Sequence, residues 1–170
     1  MPVLDIKKIG SMALLKKTTS IQFPLCADTM RDIQNMIDTL STFPFPLGIA
    51  ANQLGIDKQI IVYKLEDNLP HVVINPSMDM ASNDMRQAWE GCMSLPNMQM
   101  VTIRHKVIHM SGHNVNNELQ EICAGGVLSI LLQNSLDHLN NVTIFERNLN
   151  KKLISISSEL NSLTMGLYQS

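Results

Sequence analysis

Residues Gly125–His138, GGVLSILLQNSLDH, decide how this chain is read. From Val127 to Leu132 only Ser129 is polar, Gly125–Gly126 marks a tight entry, and Leu136 and Leu139 continue the apolar spacing beyond Gln133–Asn134–Ser135. The pattern predicts a helix over Gly125–Leu139, buried on most sides, with polar groups gathered toward its end. On such a helix Asn134 and His138 share a face. Two histidines at that spacing, the first followed by glutamate, make a zinc-hydrolase helix: two imidazole ligands and a general base. Here the first histidine is Asn134 and the glutamate is Ser135, so only His138 remains.

Upstream, residues 1–24 have weak periodicity and contain Pro2, Gly10 and Pro24, which predicts an arm lying over the domain. Cys26–Leu40 carries Met30, Ile33, Met36, Ile37 and Leu40 at helical spacing, and Pro44 and Pro46 end that helix. Leu47–Ile56, LGIAANQLGI, is rich in small residues that let another backbone approach, and Gln53 brings one amide; an ordinary tight turn into a strand is the plainer alternative. Ile60–Lys64 and His71–Ile74 read as an antiparallel pair ending at Asn75–Pro76. Trp89–Pro96, WEGCMSLP, places a thiol between Gly91 and Met93. Thr102–Met110 and Glu118–Cys123 are again strand-like, joined by a turn over Gly112–Asn117. His105, His109 and His113 would line a helix, but the β-branched context favours a strand on which His105 and His109 share one solvated face. Val142–Phe145 reads as a short extended piece, and Lys152–Leu167 as a helix carrying Leu153, Ile156, Leu160, Leu163 and Leu167.

The chain has 170 residues, is 45% hydrophobic and has a formal charge of -2, which suits one domain with a sizeable core. With no basic block, nucleic acid and anionic membrane surfaces are not expected as partners. No apolar run reaches membrane-spanning length and the N-terminus has no signal-peptide pattern, so the expected location is cytoplasmic. Cys26, Cys92 and Cys123 are odd in number and widely spaced, which suits reduced thiols better than a disulfide framework. Twelve methionines read first as core filler, and as exposed groove residues second.

Three segments stand in a meaningful order: LGIAANQ, EGCMS, and QNSLDH on a helix. Over residues 3–147, including Ile74–Pro76, the chain resembles the peptide deformylases, whose G-x-G-x-A-A-x-Q loop, E-G-C-x-S loop and Q-H-E-x-D-H helix build a metal site that removes the formyl group from N-terminal formyl-methionine. The resemblance implies an α+β fold in which antiparallel sheets wrap around the central helix. It divides the chain into a domain over 1–147 and a C-terminal extension over 148–170, expected to be helical. It makes Gln53 and the Met93 amide oxyanion-binding positions, Cys92 and His138 metal ligands, and Gly48, Ile49 and Gly91 peptide-binding positions. Glu90, Ser94, Gln133 and Asp137 fill the motif frame. It implies one Fe²⁺, Zn²⁺ or Ni²⁺ ion and N-terminal Met or formyl-Met peptides as partners.

The departures fall on the chemistry. The first motif glycine is Pro46, the second histidine ligand is Asn134, the glutamate is Ser135, and an arginine after the cysteine loop is Gln99. Asn134 offers only a neutral carbonyl oxygen, a poor donor beside soft ligands. Ser135 cannot take a proton from metal-bound water at neutral pH. The expectation is therefore a deformylase-like protein without cofactor or hydrolysis, keeping a groove for N-terminal Met peptides. The alternatives are an active divergent deformylase with a replacement ligand (Gln133, His105 or His109), a Cys92–His138 thiol–imidazole dyad, or a structural role through the C-terminal stripe.

Overall fold

The computed structural model describes residues 3–148 and 154–156. The first helix, α1 (Ala27–Ser41), buries Ile33, Met36 and Leu40 on one stripe, with Asp28 in its first turn where a negative charge suits the helix dipole. It stops before Pro44, because the residue preceding a proline is pushed out of helical geometry. A five-stranded antiparallel sheet follows, built from β1 (Leu47–Ala50), β2 (Ile60–Lys64), β3 (His71–Ala81), β6 (Val107–His113) and β7 (Leu119–Gly125), in that spatial order. The β4 (Met85–Cys92) and β5 (Leu95–His105) strands form a hairpin that joins β8 (Ile154–Ile156) in a second, three-stranded sheet. The second helix, α2 (Gly126–Leu139), packs against strands of both sheets, and α1 covers β1 and β2.

The antiparallel α+β architecture around a central helix is as expected, and the predicted helix bounds hold to within a residue. On the inner face of the large sheet Ile61, Val73, Ile108 and Leu132 of α2 are fully buried, each worth roughly 1.5–3 kcal/mol of burial. The N-terminal arm does cross the body. Leu4 N–H donates to Thr39 Oγ1 at 2.9 Å, Lys7 N–H to the Gln53 carbonyl at 2.7 Å and Ile9 N–H to the Ser94 carbonyl at 2.8 Å.

Several local readings are corrected. β3 does not end at Asn75–Pro76 but runs to Ala81, because register shifts between Ile74 and Ser77 and between Met78 and Met80 absorb the proline. Asn75 adopts φ 51° there, and its amide pairs with both backbone groups of Ile21 at 2.8 Å. Trp89–Pro96 forms a hairpin turning at Met93–Ser94. Thr102–Met110 is two strands: the chain bends at Lys106 and passes from the small sheet to the large one. His105 and His109 therefore lie in different sheets rather than on one face. In place of an extended Val142–Phe145, Ile144–Arg147 forms a 3₁₀ turn, with the Glu146 carboxylate accepting from Thr143. Within the extension expected to be helical, Ile154–Ile156 is a strand paired to Met98–Met100 of β5. The remainder of Lys152–Leu167 lies outside the described residues. Among the described residues no helix is long and apolar enough to cross a membrane.

Candidate functional site

Three elements meet at the end of α2. β1 leads into a 3₁₀ turn, Ala51–Leu54, that presents Gln53; β4 ends at Cys92; and α2 supplies Asn134, Ser135, Asp137 and His138. β1 and β4 each stand at the edge of a sheet, and the two edge strands run toward one point. The end of α2 is pinned there: Asn52 Nδ2 donates to the His138 carbonyl, and Thr18 Oγ1 to the Leu139 carbonyl at 2.9 Å.

Cys92 and His138 are brought together, as the resemblance implies, with Sγ and Nε2 3.0 Å apart and both side chains buried. Burial pushes the Cys92 thiol up to about 11, Glu90 adding to the rise while the Ser94 backbone amide opposes it. Burial likewise pushes His138 down to about 4 against the opposing pull of Asp137. The pair is a neutral thiol beside a neutral imidazole. Gln53 reaches it from the other side: Nε2 is 3.9 Å from Cys92 Sγ and donates to Ser94 Oγ at 3.1 Å, while Oε1 accepts from the Ala50 N–H at 2.9 Å. Met93 follows in the turn, its carbonyl accepting from Lys8 Nζ at 3.1 Å. Ile49 is fully buried and Gly48 packs on α2, so β1 has only backbone to offer a ligand. Gly91 is half-buried on β4, and Pro46 lies just before β1, outside the strand.

Asn134 faces elsewhere. Its Nδ2 donates at 3.0 Å to the carboxylate of Glu90, which also accepts from Thr102 Oγ1 at 2.7 Å and from two nitrogens of Arg104 at 2.9 and 2.8 Å. Arg104 bonds Asp137 in turn, and Asp137 is held from outside by Arg147 at 2.6 and 3.0 Å. Burial works against the Arg104 charge, but Glu90 and Asp137 outweigh it and shift the guanidinium upward. Ser135 Oγ is buried with no hydrogen-bond partner among the described residues, and a Cβ on Gly48 would stand 2.9 Å from it.

This arrangement does not fit a three-ligand ion. Two ligands of one tetrahedral ion, at about 2.3 Å for sulfur and about 2.1 Å for nitrogen, stand about 3.6 Å apart. Cys92 and His138 stand at hydrogen-bond distance and would part by about 0.6 Å to share an ion, a movement that only a full ligand set would repay. The Asn134 side-chain nitrogen is tied to Glu90, and its carbonyl oxygen is a weak neutral donor beside a thiol and an imidazole. The alternative ligands are engaged too: Gln133 binds the Ser129 and His105 backbone, His105 Nδ1 meets the Ser82 carbonyl at 2.7 Å, and His109 lies on an exposed face. Among the described residues no three His, Cys, Asp or Glu side chains gather where they could hold an ion.

Arg104 and Arg147 are the residues that sequence reading missed. The signal was present: two carboxylates, Glu90 and Asp137, sit in the motif segments that meet at the site, and buried carboxylates require cationic partners.

The buried neutral His138 predicts a pH effect. Its folded-state pKa lies below the unfolded value near 6.5, so the unfolded chain binds the extra proton first. Stability from this residue is intact above about pH 6.5 and falls toward pH 4, by up to about 1.4 kcal/mol per unit. Urea unfolding between pH 7 and 4.5 should show that slope reduced in His138→Gln relative to the natural protein.

Known proteins share this architecture and sequence. The family model described as polypeptide deformylase matches residues 3–153. The peptide deformylase of Microchaete diplosiphon is 34% identical over 151 residues, covering 86% of this chain and 79% of that protein. Among solved structures, a peptide deformylase from Synechococcus elongatus in complex with actinonin is 30% identical with a TM-score of 0.80, covering 89% of this chain and 84% of that one. The Thermotoga maritima peptide deformylase is 28% identical with a TM-score of 0.80, covering 88% of this chain and all of that one.

Proposed function

The chain belongs to the peptide deformylase family, and from that premise we propose that it keeps the family's peptide groove without the family's hydrolysis. The observation that carries this reading is the hydrogen bond from Asn134 to Glu90. It engages the side chain at the third ligand position in the buried ion network, beside a thiol and an imidazole already in direct contact. Ser135, in the family's glutamate position, supplies no base, and general acid–base help is worth typically 10²–10⁴-fold. Gln53 and the Met93 amide stay as anchors for a carbonyl oxygen, and Cys92 and His138 act as a buried hydrogen-bonded pair.

The groove has support of its own. β1 and β4 are edge strands converging on Gln53 and Cys92, which suits an extended peptide that adds backbone hydrogen bonds to a sheet edge. The occupant is the N-terminal segment of a methionine-initiated peptide, formylated or not.

Elemental analysis of anaerobically purified protein, with a formyl-Met-peptide assay and a binding titration beside it, tests both halves. The expected result is less than about 0.1 Fe, Zn or Ni per chain, formyl peptide recovered intact, and saturable peptide binding, since side-chain changes at the Asn and Ser positions leave the β1 backbone in place. Near-stoichiometric metal with turnover overturns the loss of hydrolysis. Absence of saturable binding overturns the groove.

A further inference from the structure

The outer face of the large sheet carries a second cluster of soft donors, far from the first in register. β3, β6 and β7 are neighbours, and Met80 pairs with His109, which pairs with Cys123. Residues directly opposite on antiparallel strands project to the same side, with Cβ atoms about 5 Å apart. The alternation confirms which side. Ile108 and Met110 are buried against α2, whereas Met80 is 63% exposed and His109 and Cys123 are exposed. Cys123 Sγ and His109 Nε2 are 3.8 Å apart. Two ligands at bond lengths of about 2.3 and 2.1 Å around a trigonal ion stand about 3.8 Å apart. The observed separation is therefore that of two ligands of one ion.

We propose that Met80, His109 and Cys123 form a surface site for one Cu(I) ion. Thiolate and thioether are the ligands that select Cu(I) over harder cations, and imidazole completes a three-coordinate set. The register shift between Met78 and Met80 turns Met80 outward opposite His109, where an unbranched methionine would otherwise expose its apolar length to water. Three rotatable bonds let its sulfur close on the ion. Binding replaces the Cys123 S–H bond by S–Cu and releases one proton to solvent, with no change of oxidation state. The site is independent of the peptide groove.

The test is anaerobic competition of Cu(I) against bicinchoninate at pH 7, in a Cys26→Ser background that removes the other exposed thiol. One equivalent should bind. His109→Ala and Met80→Leu should each weaken Cu(I) by at least about tenfold, roughly one lost ligand, and Met80→Leu should leave Zn²⁺ affinity unchanged. The three positions are on the solvent face, so unchanged thermal unfolding of each apo variant verifies that folding is not the cause. Cu(I) affinity insensitive to both substitutions means capture by a thiol alone and overturns the proposal. Equal losses of Zn²⁺ and Cu(I) in Met80→Leu overturn it as well.

Discussion

Arg104→Leu should destabilise the protein by about 3–5 kcal/mol, the cost typical of removing one partner from a buried ion pair. Glu90 is 2% and Asp137 7% exposed, so neither carboxylate can turn to water once the guanidinium is gone. Arg147 still holds Asp137 from outside, but Glu90 would lose its cation and keep the neutral donors Thr102 and Asn134. Urea unfolding at pH 7 checks the size. A second arm separates charge from packing: Arg147→Leu, at the exposed end of the same network, should cost about 1 kcal/mol or less. Similar losses for the two variants would mean that the network is not anchored at Glu90.

The second large effect concerns the metal. Asn134→His/Ser135→Glu should raise metal content of anaerobically prepared protein from less than about 0.1 to near one equivalent, because a thiolate and two imidazoles make an ordinary three-ligand set. Thr102 and Arg104 continue to satisfy Glu90 after Asn134 leaves it. The glutamate replaces a hydroxyl that has no partner among the described residues, beside Gly48, which carries no side chain. Formyl-Met-peptide turnover should appear with the metal in the double variant and be absent from Asn134→His alone, which lacks the base. A double variant that folds but stays metal-free would show that the scaffold, and not only the two side chains, has moved away from ion binding.

The central helix and the first helix were legible in the sequence because each rests on a local pattern, helical spacing and a proline stop; the Cys92–His138 encounter followed from the resemblance to the deformylases. What escaped was non-local. The strand break at Lys106 follows from a change of sheet, and nothing in TIRHKVIHM marks it, since β-branched residues suit both strands. The extension of β3 through Pro76 depends on shifts against β6 and on Asn75 bonding Ile21. The turn of Asn134 toward Glu90 depends on a carboxylate 44 residues away. Asn134 was read as a poor ligand; its positive role became visible only with its partner.

The excursion of β4 and β5 out of the large sheet also sets an order of assembly. The hairpin lies in the chain between β3 and β6, which pair with each other. Loop-closure entropy rises with separation, so contacts close in the sequence of their spans. Glu90 meets Arg104 across 14 residues, Arg104 meets Asp137 across 33, and Cys92 meets His138 across 46. The hairpin and its ion pair can form while α2 is still undocked, and the thiol finds the imidazole only when the helix arrives. Until that moment Cys92 is an accessible thiol on a nascent chain, and docking of the helix closes that interval of chemical vulnerability.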